Sequence, residues 1–245
     1  MDLTEQQKYF QSRLKKLGTK KRAEAEKKYL KSDLNHYGVS VPDVRNLAKE
    51  WIKKEDPSLS KLTKFSKHLW SSDWYEEKSL ALFLLSYKAD DLRYKHLQLF
   101  ETFASQTSTW AHLDVIAVDL VGSVLEKDRS GLILLPLWIK SGNFWVRRMA
   151  LLSQLKLLRV GKGNMTLFKN LVTTQLDEPE YWGKEERFFI RKAIGWVLRE
   201  RSKADPESVV KFVNEYADRL SGLSYREATR NLPEKYKKQL TKKPD

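Results

Sequence analysis

A long apolar helix headed by an aromatic residue recurs along this chain, and that recurrence restricts the fold more than any other feature. WYEEKSLALFLLSYK from Trp74, WAHLDVIAVDLVGSV from Trp110 and WVRRMALLSQLKLLR from Trp145 follow one another at spacings of 36 and 35 residues. FIRKAIGWVLRERSK from Phe189 is a fourth copy, 44 residues on, and its FIRKAI matches WVRRMA in residue type position by position. Each copy alternates with a second, more ordinary helical segment. A single helix pair cannot cover its own apolar face, so successive pairs must stack and share a core.

The other periodic segments are helical too. The sequence predicts helices over Leu3–Leu17, Lys20–Lys31, Leu59–Trp70, Asp73–Tyr87, Asp91–Ser105 and Thr107–Lys127. Another runs to about Lys54, with Ser40 or Val41 at its cap and Pro42 in its first turn, where a missing N–H costs nothing. Beyond Lys127, helices are expected over Ser130–Lys140, Asn143–Arg159, Asn164–Leu176, Lys184–Ala204 and Pro206–Arg219, with a short one from Ser224. Connectors are short, and no alternating strand pattern with hairpin signals occurs. The expected fold class is therefore all-α, an α-solenoid of HEAT- or armadillo-like helix pairs curving into a superhelix. Its concave wall would be a natural seat for an extended partner. No linker rich in Gly, Pro or Ser interrupts it, so residues 1–245 are read as one repeat domain whose basic tail, from Pro233, frays.

Composition narrows the partner. Lys and Arg number 46 against 32 Asp and Glu, a net charge of +14, which favours a polyanion such as nucleic acid. The absence of cysteine excludes disulfides, thiolate metal sites, iron–sulfur clusters and a Cys nucleophile. The four histidines are scattered, with no HxxxH or HExxH pair, so a metal site is not expected. No GxGxxG, GxxxxGK[ST] or GxSxG motif is present, and neither a signal core nor a run of about 18 apolar residues appears. These features lead to the expectation of a soluble, cytoplasmic chain, acting as a monomer without cofactor, metal or membrane.

Within TSTWAHLDVIAVDLVGSVLEK, Asp114 stands one helical turn after Trp110 on the same face. Asp119 is five residues further, about 140° away around an ideal helix, so the two carboxylates cannot act as a close pair. A carboxylate in an apolar helix needs a partner, a proton or a task. The positions equivalent to Asp114 in the other copies are Lys78, Met149 and Ala193, so the scaffold does not itself require a carboxylate there. His112, between Trp110 and Asp114, reads as a helix-surface residue. Arg147 and Arg148 point about 100° apart, so one can face the concave wall while the other faces solvent or a neighbour. Lys184, Arg191 and Lys192 belong to a basic helix of which only a subset can line one groove. In that helix Gly195 hints at close approach of another backbone or a ligand, and Trp196 follows it. Trp51, Trp70, Trp74, Trp138 and Trp182 are assigned to the core or to helix ends.

WAHLD, FWVRRMALLSQLK, FFIRKAIGWVLRE, LSYREA and YGVSVPDVRNLAKEW together resemble the AlkD family of alkylpurine DNA glycosylases, most strongly from about Trp110 to Arg230. The resemblance implies a HEAT-like superhelix holding duplex DNA in its concave face, and removal of purines made cationic by N3 or N7 alkylation. It implies that Asp114 is the catalytic carboxylate, that Trp110 and Trp196 flank the lesion's sugar, and that Arg148 contacts the DNA backbone. Arg147, Lys192, Arg191 and Lys184 are the further expected DNA contacts. Such chemistry needs one carboxylate rather than two, because a cationic purine departs neutral and needs no acid. The same resemblance admits a non-catalytic DNA-structure-binding branch, and a HEAT scaffold for proteins is a third reading. Lyase chemistry through a Lys Schiff base is not suggested, since no lysine is singled out.

Overall fold

The computed structural model describes residues 2–241, and all regular structure among them is helical apart from one isolated bridge between Asn35 and Trp74. Two compact units divide between Ser123 and Val124.

The N-terminal unit carries α1 (Leu3–Leu17), α2 (Lys20–Leu30), α3 (Val41–Glu55), α4 (Leu59–Trp70), α5 (Tyr75–Tyr87), α6 (Leu97–Gln106) and α7 (Trp110–Asp114), with a π-helix over Val115–Val121. The caps explain the starts. Asp2 accepts from the backbone of Thr4 and Glu5, Ser40 accepts from Asp43 N ahead of Pro42, and Ser58 accepts from Lys61 N. Both α3 and α4 pack on α5, which is buried along most of its length. That is why its sequence is apolar nearly all round rather than striped. Phe10, Trp51 and Phe65 close the core beside it, with ring centroids 5.7–6.0 Å apart.

Two carboxylates at the head of α5 are fully buried and fully used. Glu76 Oε1 accepts from Gly38 N at 2.7 Å and Val39 N at 3.0 Å, and Oε2 accepts from Tyr37 N at 3.0 Å. Glu77 accepts from Gln7, Gln11 and the Tyr37 hydroxyl. These bonds offset desolvation that would otherwise be prohibitive, and they fix the connector between α2 and α3. Gly38 in that connector sits at φ 78°, the left-handed region that favours glycine.

The second unit carries α8 (Gly122–Lys127, which spans the division), α9 (Leu135–Trp138), α10 (Phe144–Leu152), α11 (Leu155–Arg159), α12 (Met165–Thr173), α13 (Lys184–Arg201), α14 (Pro206–Glu215), α15 (Gly222–Thr229) and α16 (Glu234–Lys237). The long α13 packs on α10, α11 and α15. Gly195 makes the last contact possible: a Cβ there would lie 2.5 Å from Glu227 Cβ and 2.9 Å from the Ser224 carbonyl oxygen. The close approach that Gly195 hinted at is thus that of another helix.

Several expected helices are divided. Asp91–Ser105 becomes two single 3₁₀ turns and then α6, because the Arg93 guanidinium donates to the Asp90 and Leu92 carbonyls and the His96 ring accepts from Arg93 N. Ser130–Lys140 is a 3₁₀ stretch followed by the single turn of α9. Asn143–Arg159 breaks at Ser153–Gln154, where the Gln154 side chain turns to accept from Asn164 N at 2.9 Å. The fourth repeat copy begins upstream of Phe189, since α13 starts at Lys184. The tail expected to fray forms α16, and Asn214 bonds the backbone of Gln239 and Thr241; residues 242–245 lie outside the described residues.

Candidate functional site

In the N-terminal unit the site is built on α7. Thr109 caps it, its hydroxyl accepting from Ala111 N at 3.3 Å. His112 is buried, which corrects its reading as a surface residue. Its Nε2 lies 2.9 Å from Ser79 Oγ and 3.2 Å from the Tyr75 carbonyl oxygen, and its ring stacks on Tyr75 at 4.4 Å. Burial, reinforced by the nearby Lys78 charge, pushes this imidazole down to about 3, so it is neutral. Because the Tyr75 carbonyl only accepts, Nε2 is assigned the proton.

This anchor decides where the neighbours point. Residues two before and two after His112 are each about 160° from it around the helix. Trp110 and Asp114 are therefore turned away from the core, and both are half-buried. Trp110 also meets Tyr29 of α2 edge-on, with centroids 5.9 Å apart, while Tyr29 itself is 73% exposed. The π-helix opens directly after Asp114, so the ideal-helix angle to Asp119 does not hold. Asp119 lies 3.4 Å from Arg45, whose guanidinium sits over the Phe83 ring at 4.0 Å. The helix thus carries one carboxylate in an ion pair within α3's reach and another, Asp114, one turn from a half-buried Trp.

In the second unit α10 and α13 hold the other expected residues. Arg148 is 3% exposed; its Nη1 donates to the Phe189 carbonyl oxygen at 2.6 Å and its guanidinium lies over the Phe189 ring. Arg147 is also buried, ion-paired with Glu186, donating to the Ser141 carbonyl at 2.6 Å and packed over Trp182. Arg191 is gripped by both oxygens of Glu178 at 2.6 and 2.5 Å. Lys192 bonds Glu227 at 2.6 Å, and Arg199 pairs with the same carboxylate. Lys184, by contrast, is exposed at the first turn of α13.

The eight tryptophans sort cleanly. Trp51, Trp70, Trp138, Trp145 and Trp182 are buried, whereas Trp74, Trp110 and Trp196 are half-buried. Trp74 is accounted for by its stack on Tyr37 at 4.0 Å. Trp110 and Trp196 remain as partly open aromatic faces, each carried by one of the repeated helices.

Residues 10–232 match the family described as DNA alkylation repair enzyme. The chain belongs to that family. Among solved structures, a predicted DNA alkylation repair enzyme from Enterococcus faecalis is 26% identical, with a TM-score of 0.77 over 89% of this chain and 97% of that one. AlkD2 from Streptococcus mutans is 20% identical, with a TM-score of 0.57 over 79% of this chain and 90% of that one. The smu.31 protein from Streptococcus mutans UA159 is likewise 20% identical, with a TM-score of 0.55 over 79% of this chain and 99% of that one. These last two likenesses are of fold. No curated protein sequence matches the chain.

As a DNA alkylation repair family member, the chain has a role in DNA repair and an all-helical scaffold of the kind these relatives share. Among the described residues, no helix is long and apolar enough to cross a membrane. Sequence reasoning missed the residues that support the site. Tyr29 was hidden in a polar helix, and only its contact with Trp110 marks it. Glu178, Glu186 and Glu227 are ordinary acids in the sequence, with partners 13–39 positions away.

Proposed function

We propose that this chain is a monofunctional DNA glycosylase that hydrolyses the N-glycosidic bond of cationic N3- or N7-alkylated purines in duplex DNA. The observation that carries this reading is the outward pairing on α7: a half-buried Asp114 one turn from a half-buried Trp110, in a helix whose other face is locked by His112. Membership of a DNA alkylation repair family supports alkylated DNA as the substrate class.

The chemistry follows from charge. When the C1′–N bond breaks, its electron pair goes to the purine and cancels the purine's positive charge. The sugar becomes oxocarbenium-like. The Asp114 carboxylate opposes that charge, and the face of Trp110 presents negative quadrupole to it. Water then adds to C1′ and gives up a proton to Asp114 or solvent, as in other sugar hydrolyses. No general acid is required.

The burial of Arg148 supports a positioning role: it ties α10 to the α13 backbone seven residues before Trp196. Lys184, exposed, is the residue proposed to meet a phosphate directly, with the partly exposed Arg191 and Lys192 able to share their charge. The test is release of free 7-methylguanine from a duplex carrying one such base. The expected product strand breaks only after alkali, as for an abasic site. No release, with salt-sensitive DNA binding intact, would instead identify a non-catalytic DNA-binding protein.

A further inference from the structure

Three side chains of the N-terminal unit converge, and two of them, His36 and Glu26, bury polar atoms without hydrogen-bond partners among the described residues. Glu26 on α2, His36 in the connector between α2 and α3, and Glu76 in the first turn of α5 bring a ring nitrogen and two carboxylate oxygens within 4.8 Å of one another. The His36 side chain is 1% exposed and stacks on Tyr75 at 4.7 Å. Neither of its ring nitrogens has a hydrogen-bond partner among the described residues, and Glu26 Oε2 is also buried without one. His36 Nδ1 faces that oxygen across 3.9 Å, too far for a hydrogen bond. Leaving such groups buried and unbonded is costly, so the arrangement calls for an occupant.

We propose that Glu26, His36 and Glu76 bind one divalent transition-metal ion of the zinc class. The donor set is one imidazole and two carboxylates with no thiolate, which suits zinc and, more weakly, manganese. A neutral imidazole offers one ring-nitrogen lone pair, and both His36 ring nitrogens are without a hydrogen-bond partner among the described residues. Two carboxylates balance a dication.

The three donors are held to different degrees. Glu76 is fixed by three backbone N–H groups, yet its Oε2 accepts only one of them. Arg22 takes Glu26 Oε1 at 2.9 Å and leaves Oε2 turned inward. Glu26, with its side chain 17% exposed, supplies both an access route and the freedom to close. Ligands about 2.1 Å from a tetrahedral ion lie about 3.4 Å apart, so a rotamer shift of about 1 Å completes the site. The ion would tie α2, the connector and α5 together. Tyr29 lies one turn beyond Glu26 on α2, against Trp110, so this clamp would brace the wall of α7. The site stands independently of the glycosylase reading.

The experiment uses the full chain freed of metal with a chelator, then titrated with Zn²⁺ against a chromophoric chelator, with Co²⁺ absorption as a second reporter. One ion per chain is expected, with a rise in the thermal midpoint, since a ligand that binds only the folded state stabilises it. His36→Gln and Glu26→Gln should each weaken binding by about tenfold or more. The metal-free thermal midpoint of Glu26→Gln, at a partly exposed position, reports whether the fold is kept. Absence of stoichiometric binding, or equal affinity in folded variants and parent, would overturn the proposal.

Discussion

Arg148 of α10 donates to the carbonyl oxygen of Phe189 on α13 at 2.6 Å, and so fastens one repeat helix to the backbone of the next. The bond falls seven residues before Trp196, two turns along the same face of α13. Arg148→Lys keeps the charge but cannot keep both the carbonyl bond and the guanidinium contact with the Phe189 ring. Single-turnover release of 7-methylguanine should fall by about tenfold or more, because small misplacements in a site are costly. Affinity for undamaged duplex, measured by anisotropy, should change by less than about threefold if the residue positions rather than binds. A loss confined to affinity would reverse that assignment.

Gly195 sets the spacing of α13 and α15. Gly195→Val would place a branched side chain against Glu227 Cβ and the Ser224 carbonyl, where even a Cβ meets atoms at 2.5 and 2.9 Å. A destabilisation of about 1–3 kcal/mol is expected from overpacking of this kind. In thermal unfolding that corresponds to about 2–4 °C per kcal/mol for a chain this size. An unchanged midpoint would mean that α15 can move away freely.

The buried His112 predicts a pH dependence of stability. Its folded pKa, about 3, lies below the ordinary 6.5, so between these values the unfolded chain binds more protons. Stability therefore falls as pH drops from about 6.5 toward 3, by up to about 1.4 kcal/mol per pH unit from this group, and this contribution is constant above 6.5. His112→Gln, which retains a terminal N–H for the Tyr75 carbonyl, should show a shallower loss than the parent in denaturant unfolding across that window. Parallel profiles would show that His112 does not carry the effect.

Lys184 is the exposed cation of the proposed DNA contacts. Lys184→Ala should weaken binding to duplexes of any sequence and lower the slope of log affinity against log salt by about 1. No change in slope would remove it from the interface.

Local caps made much of the fold legible. Ser58 and the apolar period mark Leu59–Trp70, and the predicted Leu3–Leu17 agrees with the helix that Asp2 caps. What stayed hidden depended on contacts distant in sequence. The π-helix after Asp114 lies in a run that is apolar at every position but Asp119, so it shows little helical phase to lose. His112 looked like a surface residue because the groups that receive it, Tyr75 and Ser79, lie more than thirty positions upstream. Arg148 was read as a DNA contact from the family resemblance and Arg147 beside it as a further one; that both are buried, against the Phe189 carbonyl and Glu186, could not be read from the sequence because those partners lie about forty positions downstream. Of the candidate-site residues, Asp114 and Trp196 stand out because they break the pattern of the repeat that contains them, whereas Trp110 keeps it as the aromatic head of its copy.

The most direct test of the account compares the parent with Asp114→Asn on a duplex carrying a single 7-methylguanine, following base release and DNA affinity together. Asparagine keeps the size and polarity of the side chain and removes its charge. Release should fall by about 100-fold or more while affinity stays close to that of the parent, since electrostatic stabilisation of the sugar cation is lost and phosphate contacts are not. Equal release by the two proteins would contradict the central claim that the Asp114 carboxylate carries the chemistry.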